Sequence, residues 1–265
     1  MTTDSGRRRE QPAEGVEAGP GPQEPMPPSY PPEQQSARPE APKRRGGWFR
    51  EMVTVMVSAL VLSVVIKTFL AQAFYIPSGS MENTLELGDR VMVSKLAPGP
   101  FDLERGDIVV FVDPGDWLGE VPEDNRSPWQ QTAADVLTWI GLLPQDAGHH
   151  LIKRVIGLPG DHVECCDDQG RLLVNGEPVD EPYLYPGAEP SETSFEVTVP
   201  EDRVWVMGDN RGNSADSRAH MGEPGGGTIP MENIVGRAFV LLWPADRITL
   251  LNNPEETFAD VPEPE

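Results

Sequence analysis

The chain is poor in cysteine, in histidine and, past its first fifty residues, in positive charge. Cys165 and Cys166 are its only cysteines and are adjacent, so no disulfide can tie distant segments together. The pair is either reduced at the end of a strand or closed on itself as a vicinal bridge. The four histidines, His149, His150, His162 and His220, lack the cysteine or carboxylate spacing of a metal site. No metal and no cofactor is expected. After position 50 there are thirteen basic residues against thirty-six acidic ones, within a net charge of -22. Phosphate binding needs a basic surface, so nucleic acid is excluded as a partner. Residues 1–50 hold 10 of the 29 prolines and almost no aliphatic side chains. Such a segment cannot bury enough apolar surface to offset chain entropy and is expected to be disordered.

What the chain has is one long apolar run. Residues 52–75 carry a single charge, Lys67, near their C-terminal end. About 20 such residues, rising about 1.5 Å each, cross a hydrocarbon core of roughly 30 Å, and a long lysine side chain near one end can reach the headgroups. A transmembrane helix is expected over 51–75. A secretory signal would lie at the extreme N-terminus, and a soluble helix would show a polar face; neither fits. Lys43, Arg44, Arg45 and Arg50 precede the run, whereas Arg90 is the only basic residue from 74 to 93. The positive-inside rule then puts the N-terminus in the cytoplasm, and a single-pass protein of the cell membrane follows, in contact with lipid. The apolar stretch at 238–251 is broken by Pro244, Asp246 and Arg247 and is not counted as a second span.

Beyond the span, apolar residues come in short β-branched runs at 90–93, 107–112, 151–156, 172–174, 195–199, 204–207 and 235–243, separated by glycine and proline. This rhythm predicts a mostly β domain, as sheets or a distorted barrel, over 76–252. Trp129, Ala133, Val136, Leu137 and Ile140 recur at helical spacing, with Ser127 as N-cap and Pro144 as stop, so a helix is inserted near 128–143. It either packs on the sheet or dips its tryptophan face into the membrane surface. The acidic, proline-containing residues 253–265 are expected to be a disordered tail.

Three stretches carry chemistry: Pro77-Ser78-Gly79-Ser80-Met81; Lys153 to Asp161, which ends Gly-Leu-Pro-Gly-Asp; and Gly208 to Arg218, which opens Gly-Asp-Asn. Taken singly, each has a bland explanation as a turn, a solvated charge or a loop. In this order behind one span, and with Arg105-Gly106-Asp107-Ile108-Val109-Val110-Phe111 as a further box, they resemble bacterial signal peptidase I. The resemblance covers most of 74–243 and implies a signal-peptidase-type β-sheet fold and a serine endopeptidase with a Ser/Lys dyad. It implies Ser80 as nucleophile and Lys153 as general base. Ser78 and the Ser80 amide would form the oxyanion hole, Ser214 would hold the lysine amine, and Asp216 and Arg218 would form a supporting ion pair. Gly208 and Asp209 would turn Ser214 inward. It also implies signal-peptide-bearing preproteins as partners, cut after small residues of the Ala-x-Ala type.

The implied chemistry is physically coherent. A serine hydroxyl attacks well only when a neighbouring base takes its proton, and lysine serves only when neutral. Lysine titrates near 10.4 in water, so a working value of about 7 to 8 requires burial against apolar neighbours such as Met81, Val155 and Ile156. Gly212 and the Ala219-His220-Met221 run depart from the family pattern, where an acid and an aromatic pair are common. Residues 113–150 are an insertion relative to the shortest members and are given no catalytic role. A self-cleaving repressor with the same dyad would need a DNA-binding module, which the Pro-rich N-terminus lacks. An inactive scaffold would show a damaged dyad, yet Ser78, Ser80, Lys153 and Ser214 are all present.

Overall fold

The computed structural model describes residues 47–115, 117–119, 127, 129–130 and 150–264. The segment expected to be disordered over 1–50 lies outside the described residues up to position 46. So does the expected helix at 128–143, except for Trp129 and Gln130, which are helical. Helix α1 spans Gly47–Phe69, long and apolar enough to cross a membrane, with none of its residues buried. It stops short of the expected span. Residues 71–75 form a strand instead, β1 (Ala71–Tyr75), with Phe74 buried and Tyr75 exposed. Continuous apolarity cannot separate a membrane helix from a strand that follows it directly. The pairing decides: each residue of β1 faces one on β2 (Arg90–Ser94), and the Lys95 N–H donates to Leu70 O at 2.9 Å.

The main sheet continues with β3 (Ile108–Val112), β4 (His150–Gly157), β9 (Arg203–Met207), β10 (Ile229–Pro230), β11 (Ile234–Trp243) and β12 (Thr249–Leu250). Its order is β1-β2-β11-β3-β4-β9-β10, with β12 beside β11, and every pairing is antiparallel. A second sheet, ordered β7-β6-β5-β8, is built from β5 (His162–Cys165), β6 (Leu172–Val174), β7 (Glu177–Val179) and β8 (Phe195–Thr198). Cys165 and Cys166 are joined as a vicinal disulfide at the end of β5.

Central strands β3 and β4 are covered on both faces, which explains why their sequences run apolar instead of alternating. Ile108, Val110 and Ile152 enter a cluster with Phe74, Ile76, Met81 and Leu85, while Val109, Phe111, Leu151 and Val155 enter another with Val204 and Val206. The first cluster lies beneath the Ser78–Met81 turn, and β4 carries Lys153 through the middle of the sheet.

The C-terminal residues are not the free tail that their acidity suggested. A short helix α2 (Glu255–Phe258) folds back, and Phe258 and Val261 join the core of Ile156, Val163 and Trp205. Asn253 donates to Asp107 Oδ1 at 3.1 Å, and Asn175 donates to Pro262 O at 2.8 Å. Gly106, at φ 93, leaves the room: a Cβ there would meet Asn253, Pro254 and Phe258. Burial of these two apolar side chains outweighs the acidity of the segment, because Glu255, Glu256, Asp260 and Glu263 stay exposed. Phe258→Ala is therefore expected to lower stability by about 3 kcal/mol, the usual scale for a buried aromatic cut to alanine. A denaturation midpoint unchanged from wild type would mean that the tail is not docked.

Candidate active site

The site is assembled from three pieces of backbone. After β1 the chain turns through Ser78-Gly79-Ser80. Hydrogen bonds from Glu82 N–H to Gly79 O at 3.1 Å and from Leu85 N–H to Met81 O at 2.8 Å then wind it into a single turn. Met81 and Leu85 are fully buried and pin that turn to the sheet. Ser80 is 6% exposed, whereas Ser78 stands open to solvent. The Ser80 N–H donates to no group among the described residues, and the Ser78 and Ser80 hydroxyls are 3.4 Å apart.

The second piece is β4. Lys153, 3% exposed, donates from Nζ to Ser80 Oγ at 2.7 Å and to Ile152 O at 3.0 Å. Burial pushes its amine down from 10.5 to about 8, against the opposing pull of Asp216 and Asp209. Keeping it there costs the fold about 3 kcal/mol. The cost is full below about pH 8 and fades as pH rises toward 10.5, where the unfolded chain also loses the proton.

The third piece is the loop from Gly208 to Arg218. Asp216 accepts the Gly208 N–H at 3.0 Å and a two-pronged ion pair from Arg218 at 2.9 and 2.8 Å. Burial raises the Asp216 carboxyl, but Arg218 outweighs it and holds the group below its ordinary value. Arg211 binds Glu181 and donates to Gly208 O, which closes the loop on itself. Gly208 is obligatory, since a Cβ would strike Ser214 Oγ and Ser80 O.

Most of the expected residues converge, with one difference. Ser214 was expected to hold the lysine amine, and here Ile152 O takes that place. The Ser214 hydroxyl is buried, short of hydrogen-bond geometry with any described partner, though near enough to Asp216 to help hold that carboxyl low. Two positioning contacts escaped the sequence reading. Arg154, next to Lys153, makes a buried double hydrogen bond to Asp209 at 2.8 and 2.6 Å and donates to Gly106 O at 2.8 Å. Asn210 donates its N–H to Ser80 O at 3.1 Å and its side chain to Gly79 O at 3.2 Å. The signal for both was present, since Arg154 and Asn210 lie inside the motif stretches, but only folding shows which neighbours they meet. Beside Ser78 and Lys153 opens a cavity of about 80 Å³, walled by Phe74, Ile76, Val110 and Ile152 among others.

Comparison with known proteins decides the family. The family model described as signal peptidase, peptidase S26, matches residues 49–243. The chain belongs to this family. Membership makes it a serine endopeptidase of the signal peptidase group, with a mostly β catalytic domain behind one apolar N-terminal helix. It is similar to signal peptidase I of Mycobacterium tuberculosis, 39% identical over 229 residues, covering 78% of this chain and 77% of that one. A probable signal peptidase I-2 of Synechocystis is 39% identical over 206 residues, covering 78% of each chain. A crystal structure of a signal peptidase I from Enterococcus faecalis matches with a TM-score of 0.32 and 24% identity, over 52% of this chain and 97% of that one.

Proposed function

We propose that this signal peptidase cleaves preproteins with Ser80 as nucleophile and Lys153 as general base. The observation that carries the reading is the buried 2.7 Å contact between Lys153 Nζ and Ser80 Oγ, with the amine pushed down to about 8. A neutral lysine takes the Ser80 proton as Oγ attacks the scissile carbonyl, and the resulting ammonium returns a proton to the departing amine. Water then attacks the acyl-enzyme with the same lysine as base. The Ser80 N–H and the Ser78 hydroxyl stabilise the oxyanion. Ser214, Asp216 and Arg218 support the loop behind the dyad.

The cavity beside Ser78 receives side chains of the signal peptide. At about 80 Å³ with apolar walls, it favours small residues, in keeping with cleavage after Ala-x-Ala. Helix α1 anchors the enzyme in the cell membrane, its N-terminus cytoplasmic, as Lys43 to Arg50 direct. With β1 beginning two residues after α1 ends, the sheet is held against the outer leaflet, in contact with lipid, where a cleavage point emerges. Nucleic acid has no part in this reading, given the acidity of the outer domain.

Incubating a preprotein with the detergent-purified chain and weighing the products tests the proposal. A cut after a small residue is the expected result; no cut, or a cut after bulky residues, would overturn it. In intact cells, external protease should spare an N-terminal tag, and loss of that tag would reverse the orientation. Ser78→Ala should lower kcat by roughly 10² to 10³ with little change in KM, as when one oxyanion donor is removed. A large rise in KM at constant kcat would make Ser78 a binding residue instead.

A further inference from the structure

The cavity has a wall that the strands do not supply. Phe74 comes from β1, Val110 from β3, and Leu151, Ile152 and Lys153 from β4, but Leu118 reaches it from the loop that follows β3. Leu118 is 41% exposed, whereas Phe74, Val110 and Ile152 are buried, so it stands on the solvent side. Its position is built. The Asp113 carboxylate accepts N–H groups from Gly115 at 3.0 Å, Trp117 at 3.0 Å and Leu118 at 3.1 Å, which fixes the turn. Trp117 meets Phe111 edge to face, with ring centroids 6.0 Å apart, and lies flat on His220, 4.1 Å between centroids and 7° between planes. His220 Nδ1 pairs with Glu223 Oε1 at 2.9 Å, and the residue closes the turn Ser217–His220 that follows Asp216. The loop bearing Leu118 is thereby tied both to β3 and to the segment behind the dyad.

We propose that Leu118, held by the Asp113 turn and the Trp117–His220 stack, is a specificity-determining residue that limits which signal-peptide side chains enter the cavity. The inference rests on the reading of that cavity as the substrate site. An isobutyl group at the open side narrows the space for a bulky side chain while giving a small one an apolar surface to cover. Trp117 acts through Leu118 and is a positioning residue. The start of the insertion, given no catalytic role on sequence grounds, thus takes part in choosing the substrate.

The test compares kcat/KM of the full-length enzyme in detergent for two preprotein peptides, one with alanine and one with valine or leucine at the small-residue positions. Leu118→Ala should raise the bulky-to-small ratio about tenfold, the scale of one or two methylenes in an apolar pocket. Trp117→Ala should move the ratio in the same direction, and Trp117→Phe, which keeps a ring for stacking, should restore it toward wild type. Ile76→Val, a change in the buried wall, serves as the control. If Ile76→Val moves the ratio and Leu118→Ala does not, the cavity is the substrate site but Leu118 has no part in selection. If neither moves it, the cavity reading itself fails. Since Leu118 is 41% exposed and belongs to none of the core clusters, its truncation leaves the core untouched and the comparison interpretable.

Discussion

Ser80→Ala is expected to lower kcat by about 10⁶ while leaving the chain folded, because a methyl group in place of the hydroxymethyl removes the attacking atom but little buried volume. Lys153→Ala should cost about as much. The double variant should cost little more than either single one, because nucleophile and base act as a unit across the 2.7 Å contact. Single-turnover cleavage of a preprotein peptide measures all three. Losses that add would mean that the two residues act independently and that Ser80 finds its base elsewhere.

Lys153→Arg carries the second large effect. Arginine keeps the positive charge and the length but does not deprotonate in the working range, so it cannot accept the Ser80 proton. A general base contributes roughly 10² to 10⁴, and a loss of at least that order is expected, with near-native circular dichroism. Should the larger guanidinium not fit a site that leaves Lys153 only 3% exposed, Lys153→Met gives the same test without a charge. It should be as inactive as the arginine variant and more stable than wild type below about pH 8, where the buried amine costs about 3 kcal/mol. Retention of more than about a tenth of the activity by Lys153→Arg would make the lysine a structural cation.

The candidate site residues were legible only in combination: a Ser-x-Ser turn, a lysine on an apolar strand and a Gly-Asp-Asn loop are each common alone, and their order behind one span gave the resemblance, while β-branched runs marked the strands of the main sheet. Three features were not legible, each because a competing interaction decided it. Residues 71–75 read as membrane helix, since apolarity is common to both states and only pairing with Val91 and Val93 distinguishes them. The tail read as disordered because acids outnumber apolar residues there. Yet Phe258 and Val261 join the core, with Asn253 and Pro262 hydrogen-bonded beside them, and no average over a segment reveals so few residues in register with their partners. Ser214 is expected to hold the amine by likeness of motif, whereas Lys153 Nζ bonds Ser80 Oγ and Ile152 O, a choice of acceptor that side-chain rotamers make and motif order does not fix.

The insertion shows the same limit from another side. Leu118 sits in no motif, and its place on the cavity follows from Trp117 stacking on His220, a contact across about a hundred residues of sequence. The arginine next to Lys153 is similar: its pair of hydrogen bonds to Asp209 joins two motifs that sequence order alone leaves separate.

The central claim is that Lys153 works as a neutral amine, and the pH dependence of kcat/KM tests it most directly, using a peptide with no titrating group near neutrality. Only the deprotonated lysine accepts the Ser80 proton, so activity should climb about tenfold per pH unit, bend near pH 8 and then hold level. A bend near 6.5, the ordinary value of histidine, or a profile flat through pH 8, would contradict it.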